Sequence, residues 1–183
     1  QDFDCIETYV PQTFVELLRD DSCFWASGPT YPYPCVNEKI HIDAIGQQSI
    51  GALAAKSVLG IMRGEKRFQG LIPLNITTNN QEVIVRFDVP FPPLVLDTIQ
   101  VRKVDHYGFS VINKKNKNII QSISIGGDSV IIHCTESPDN CKIRYAVNGD
   151  YMKSGNRHGP RGNLRDSIGN WCYQFDCPTI TSE

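Results

Sequence analysis

Residues 34–56 read PCVNEKIHIDAIGQQSIGALAAK, and the parsing of this stretch decides the fold. Asp43 is a good N-cap, and Ile50, Leu53, Ser57 and Ile61 recur at intervals of three and four, which predicts a helix running to Gly64. Upstream, Pro11 suits a helix N-terminus, and Phe14, Leu17 and Leu18 give PQTFVELLRDD an apolar face at helical spacing. SCFWAS (22–27) then reads as a buried strand. GPTYPYP (28–34) reads as an irregular loop, because its prolines forbid regular pairing. Helix, strand, loop, helix is the order of an α/β unit over residues 1–64.

After Gly64 the period becomes that of strands. VIVRF (83–87), VLDTIQVRKV (95–104), GFSVI (108–112), NIIQSISI (118–125), SVIIHC (129–134) and KIRYAV (142–147) are β-branched runs separated by turn chemistry such as KKNKN, GGD and SPDN. They predict an antiparallel, sandwich-like β domain over 65–183. The first unit is the incomplete one. One strand and two helices leave a parallel sheet mostly uncovered, so a sheet completed by an upstream segment or by a second chain is expected.

Composition is ordinary: 183 residues, 40% hydrophobic, 21% charged, net charge −2. That balance implies no general attraction to nucleic acid or to an acidic membrane surface. No apolar run approaches the roughly 20 residues of a membrane span, and QDFDCIETYV has neither the basic nor the apolar region of a targeting segment. The seven cysteines read first as buried free thiols, ahead of disulfides and of a four-thiolate zinc site built from Cys134, Cys141, Cys172 and Cys177. Asn75-Ile-Thr77 is a glycosylation sequon by form only. No metal and no cofactor is implied.

Four histidines are available for chemistry. GGDSVIIH (126–133) invites a serine hydrolase reading, but Ser129 and His133 are four apart in a strand, about 13 Å at 3.3 Å per residue. Gly-Asp-Ser here reads as a hairpin turn rather than a nucleophile elbow. His106 and His158 fall in the loops DHYGF and NRHGPRG and read as surface residues, and His133 as a satisfied strand residue. The basic cluster Lys114, Lys115, Lys117 reads as a solvated hairpin tip. His41 stands apart, because it precedes a helix and follows a loop, where sites form at the carboxyl end of parallel sheets. Glu38, three residues earlier, is placed to accept from its Nδ1–H and leave Nε2 free to take a proton from a nucleophile.

The block TYPYPCVNEKIHIDAIGQQSIGALAAK resembles the last sequence block of the SGNH (GDSL-like) hydrolases, in the carbohydrate esterase branch of sialate O-acetylesterases and phage tailspike deacetylases. There, Asp-x-x-His is followed by a glycine and the final helix of a three-layer α/β domain. The matching residues are Glu38-Lys39-Ile40-His41, Asp43, Gly46 and Gly51. The resemblance makes His41 the catalytic histidine and Glu38 the acid, a departure from the family's aspartate. LIPLN, IRYAVNGDY and HGPRGNLRDS resemble the β-rich extension that follows the hydrolase core in some of these esterases.

The family's nucleophilic serine, its second-block glycine and its oxyanion asparagine precede the histidine, and none stands upstream of His41. The resemblance therefore implies the C-terminal part of a carbohydrate O-acetylesterase. Its partners would be O-acetylated polysaccharide and the upstream part of the protein or a second chain, in a homotrimer at a virion tail if the source is a phage. The alternative is a carbohydrate-binding or structural module without chemistry, in which Trp171, Arg161 and Arg165 contact the glycan and Tyr151, Tyr173 and Arg157 add to the surface.

Overall fold

The computed structural model describes residues 9–21, 23–65, 70–178 and 180–181. Two α-helices, α1 (Tyr9–Asp20) and α2 (Ala44–Met62), precede ten strands: β1 (Ile72–Asn79), β2 (Glu82–Asp88), β3 (Val95–Leu96), β4 (Phe109–Ile112), β5 (Ile120–Gly126), β6 (Ser129–Cys134), β7 (Lys142–Tyr145), β8 (Leu164–Arg165), β9 (Phe175–Pro178) and β10 (Ile180–Thr181). The chain is thus mostly sheet, with a short α-helical part in front. This agrees with a mixed α/β segment followed by a β-rich region.

The strands form three sheets. Five strands run in the order β10-β1-β2-β6-β5, three in the order β4-β7-β9, and β3 pairs with β8. Every pairing is antiparallel except β1 with β10. Alternation drives the two larger sheets together. Val83, Val85 and Phe87 of β2 and Val130 and Ile132 of β6 point inward, and Phe109, Val111, Ile143, Tyr145 and Phe175 meet them in one buried cluster. Helix α1 belongs to the same core through Val15 and Leu18, and Phe14 packs edge-on to Phe24 and stacks on Tyr173.

One expected strand is not formed and another is cut short. Residues 24–29 carry no strand assignment, and no described strand pairs with them. Phe24, Trp25 and Ala26 still pack against the core. Apolar residues can bury the segment, but only a neighbouring strand can make it a strand. In VLDTIQVRKV only Val95 and Leu96 are β. The carboxylate of Asp97 accepts from the amides of Ile99 and Gln100 at 2.8 and 2.9 Å, closing a turn that stops the run. Asn163, fully buried, holds that turn by donating to the carbonyls of Asp97 and Val101 and accepting from the amide of Val104.

Helix α2 begins and ends close to its predicted limits. The Asp43 Oδ1 accepts from the amide of Gly46 at 2.8 Å, the N-cap bond its position predicts. Its buried residues are Gly46 and Gly60, while Ile45, Val58, Leu59, Ile61 and Met62 are exposed.

Candidate functional site

The turn that carries His41 is closed by its own backbone. Cys35 and Ile42 form an antiparallel bridge, the Val36 amide donates to the His41 carbonyl at 2.8 Å, and the Asp43 amide donates to Pro34. To turn this tightly, Asn37 and Glu38 adopt φ of 52° and 55°, a left-handed conformation that costs a non-glycine residue energy and persists only where neighbours enforce it. Helix α2 then starts directly beneath the turn. A Cβ on Gly46 would lie 2.3 Å from Ile42 Cγ2 and 3.0 Å from Tyr33 Cβ, so the approach requires glycine.

His41 is exposed, and its imidazole makes no hydrogen bond with any described residue. Apolar side chains flank it in sequence: Val36, Ile40 and Ile45 are 51, 81 and 69% exposed. Glu38 does not reach it. The Glu38 carboxylate binds His158 Nδ1 at 2.6 Å and Lys153 Nζ at 3.0 Å, and its carbonyl accepts from the Ser154 amide at 2.8 Å. These two bonds, with Lys153 the stronger influence, hold the Glu38 carboxyl below the usual glutamate range. On the far side of the imidazole, Arg102 Nη1 lies 2.5 Å from His158 Nε2. A guanidinium only donates, so Nε2 accepts and the ring proton sits on Nδ1, toward Glu38. Glu38 thus clasps the His41 turn to the β region. Beside the clasp, Pro34, Cys35, Asn37, Ser154, Asn156 and Arg157 line an open cleft of about 550 Å³.

The three residues expected to touch glycan lie elsewhere. Arg161 is 7% exposed and donates to the carbonyls of Arg102, Lys103 and Gly159. Arg165 is paired with Asp97 at 2.8 Å and donates to the carbonyls of Asp166 and Ser167. Trp171 is 3% exposed and edge-on to Tyr31, and one side of it lines a cavity between α2 and the β region. None of the three shares a hydrogen bond with His41 or Glu38.

The remaining candidates resolve simply. Gly127 and Asp128 form a two-residue hairpin loop between β5 and β6, with Gly126 paired to Ser129 and Gly127 at φ 64°. Ser129 Oγ donates to its neighbour Asp128, and His133 pairs with Glu82. The six described cysteines are free thiols, Cys5 lying outside the described residues. Burial pushes Cys134 up to about 11 and Cys177 up to about 12, which keeps both protonated at neutral pH. No group of three or more metal-binding side chains occurs among the described residues, and no described helix is long and apolar enough to cross a membrane.

Together these features define a β-rich region with an α-helical segment in front, whose exposed histidine turn is bolted to the β loops. No protein-family model matches the chain, and no curated protein does. Among solved structures, the fold is similar to that of a carbohydrate acetylesterase from Xanthomonas citri, at 15% identity and a TM-score of 0.52, covering 78% of this chain and 31% of that one. An S-layer protein aligns at 10% identity and a TM-score of 0.38, over 76% of this chain and 16% of that one. The chain therefore spans about a third of the acetylesterase's length.

Sequence reasoning placed Glu38 beside His41 because the two are close along the chain. It missed Lys153 and His158, which hold Glu38, and Arg102, which holds His158, since they lie over 60 residues away in loops without periodicity. The double left-handed turn at Asn37-Glu38 left only one local signal, the asparagine.

Proposed function

We propose that this chain is the C-terminal part of an SGNH-type carbohydrate esterase that removes O-acetyl groups from polysaccharide. The observation that carries the reading is helix α2, which is apolar on both sides and covered on one. Its outer side, Ala44, Gln48, Gly51, Ala52, Ala55, Val58, Leu59 and Met62, has no charge, and a helix apolar all round is built for burial. His41 stands at the mouth of that helix. Its occupant would be the rest of the hydrolase domain, supplied upstream or by a second chain, and the fold likeness to a third of an acetylesterase supports this.

In the completed site a serine from that segment attacks the acetyl carbonyl. His41 takes the serine proton and returns it to the departing sugar oxygen, leaving an acetyl-serine ester. Water, deprotonated by the same imidazole, hydrolyses that ester to acetate and free serine, while backbone amides and the upstream asparagine hold the oxyanion. Glu38 is the acid of this turn, and in the present geometry it acts by fixing the loop through Lys153 and His158. Location on a trimeric phage tail belongs to the same reading. His41→Ala in the full-length protein should lower acetate release from O-acetylated glycan by about 10²–10⁴-fold, the usual contribution of a general base, and leave glycan binding intact. Unchanged turnover would overturn it.

The second reading is a glycan-binding module without chemistry. It is favoured by the engagement of Glu38 with His158 rather than with His41.

A further inference from the structure

A cavity of about 140 Å³ lies where α2, the extended segment at 25–29 and the β region meet. Both tryptophans of the chain, Trp25 and Trp171, line it together with Leu53, Leu71, Phe91 and Tyr173. Its size is that of one six-membered ring, since a cavity of about 150 Å³ takes benzene.

The rim is charged, and one of its charges is held in place. Asp166, fully buried, accepts from the backbone amide of Asn170 at 2.8 Å and from its side-chain amide at 2.6 Å. That fixes the Asn170 Oδ1, which accepts from Lys56 Nζ at 2.7 Å. Lys56 is also 5.1 Å from the centre of the Phe91 ring. One of its three N–H groups is donated to Asn170, and among the described residues the other two have no hydrogen-bond acceptor. Among the described residues that line the cavity, Arg63 adds a second cation and Glu65 one carboxylate, so the cations outnumber the carboxylate. Lys56 is the one charged residue in the nineteen of α2, and its side chain is spent on this rim.

We propose that this cavity is a binding site for a single six-membered ring bearing a carboxylate, the ring between the aromatic walls and the carboxylate on Lys56. Hexuronic acids and aryl carboxylic acids share that chemistry. The site is distinct from the His41 turn, and binding can be read without turnover, so it holds or fails independently of the esterase reading.

Because the only two tryptophans flank the cavity, intrinsic fluorescence of the whole chain reports occupancy. D-glucuronate, benzoate and neutral D-glucose are titrated against the wild type, Lys56→Met and Lys56→Arg, with circular dichroism confirming that each variant is folded. A saturable change with glucuronate identifies a sugar acid, and one with benzoate alone an aryl acid. In either case glucose should bind at least tenfold more weakly, Lys56→Met should weaken the acid at least tenfold, and Lys56→Arg should retain most of the affinity. No saturable change with either acid, equal binding of glucose, or indifference to Lys56→Met would overturn the proposal.

Discussion

Helix α2 is richer in apolar residues than the β region, yet the two bury their side chains very differently. In the β region, Phe109, Tyr145 and Phe175 have no exposed surface, and their ring centres lie 4.6 to 6.4 Å apart. In α2 the buried residues are two glycines, and five large aliphatic side chains face solvent. The β region satisfies its hydrophobic pattern within the chain. The helix satisfies half of its own, and the unburied half is the surface against which the proposed remainder of the domain would pack.

That difference should appear first in truncations. Phe175→Ala removes a ring between Tyr145 and Phe109 and should cost about 3–5 kcal/mol, whereas Leu59→Ala on the outer side of α2 should stay within about 0.5 kcal/mol. Urea unfolding of the isolated chain checks both. A large loss at Leu59 would mean that the outer side is already covered, and the contrast would collapse. Glycines sharpen the comparison at smaller scale. Gly46→Ala drives a methyl into Ile42 and Tyr33 and should cost about 1–3 kcal/mol. Gly51→Ala meets nothing within 4 Å and should stabilise the helix by about 0.5–1 kcal/mol. In a chain carrying the rest of the domain the sign at Gly51 should reverse, because its open side would then be a contact.

Much of this architecture is legible in the sequence because periodicity is a local property. The helix limits, the Asp43 cap, five of the seven described strands of four or more residues and the Gly127-Asp128 hairpin follow from neighbours within a few residues. What failed depended on distance. SCFWAS has the composition of a strand, but pairing needs a partner, and none of the described strands supplies one. VLDTIQVRKV has the β-branched pattern but is folded over by Asp97 and pinned by Asn163, 66 residues on. The candidate site divides in the same way. The exposure of His41 at a helix mouth follows from the helix, while the partners of Glu38 do not, since nothing in NEKIH announces an imidazole 120 residues later.

That clasp gives the smallest effect and the most informative one. It joins the two unlike regions by a partly exposed carboxylate rather than by a core, so it should respond to pH where the core does not. The Glu38 carboxyl lies below its ordinary value when folded, because Lys153 and His158 favour its ionised form. Its contribution is therefore complete above the unfolded glutamate pKa of about 4.3 and is lost as pH falls through the lower folded value. On acidification through that window the Ser154 amide, which donates to the Glu38 carbonyl at 2.8 Å, should lose hydrogen-exchange protection while the amides of β2 and β6 keep theirs. Glu38→Gln should produce the same local opening at neutral pH and leave global unfolding nearly unchanged. In a full-length protein with the proposed esterase activity, this variant separates the two roles of Glu38. An acid that orients His41 directly would, when neutralised, lower kcat across the whole pH range, whereas a clasp would give a loss that Glu38→Asp restores in part and that vanishes at a pH where the wild-type clasp is itself open.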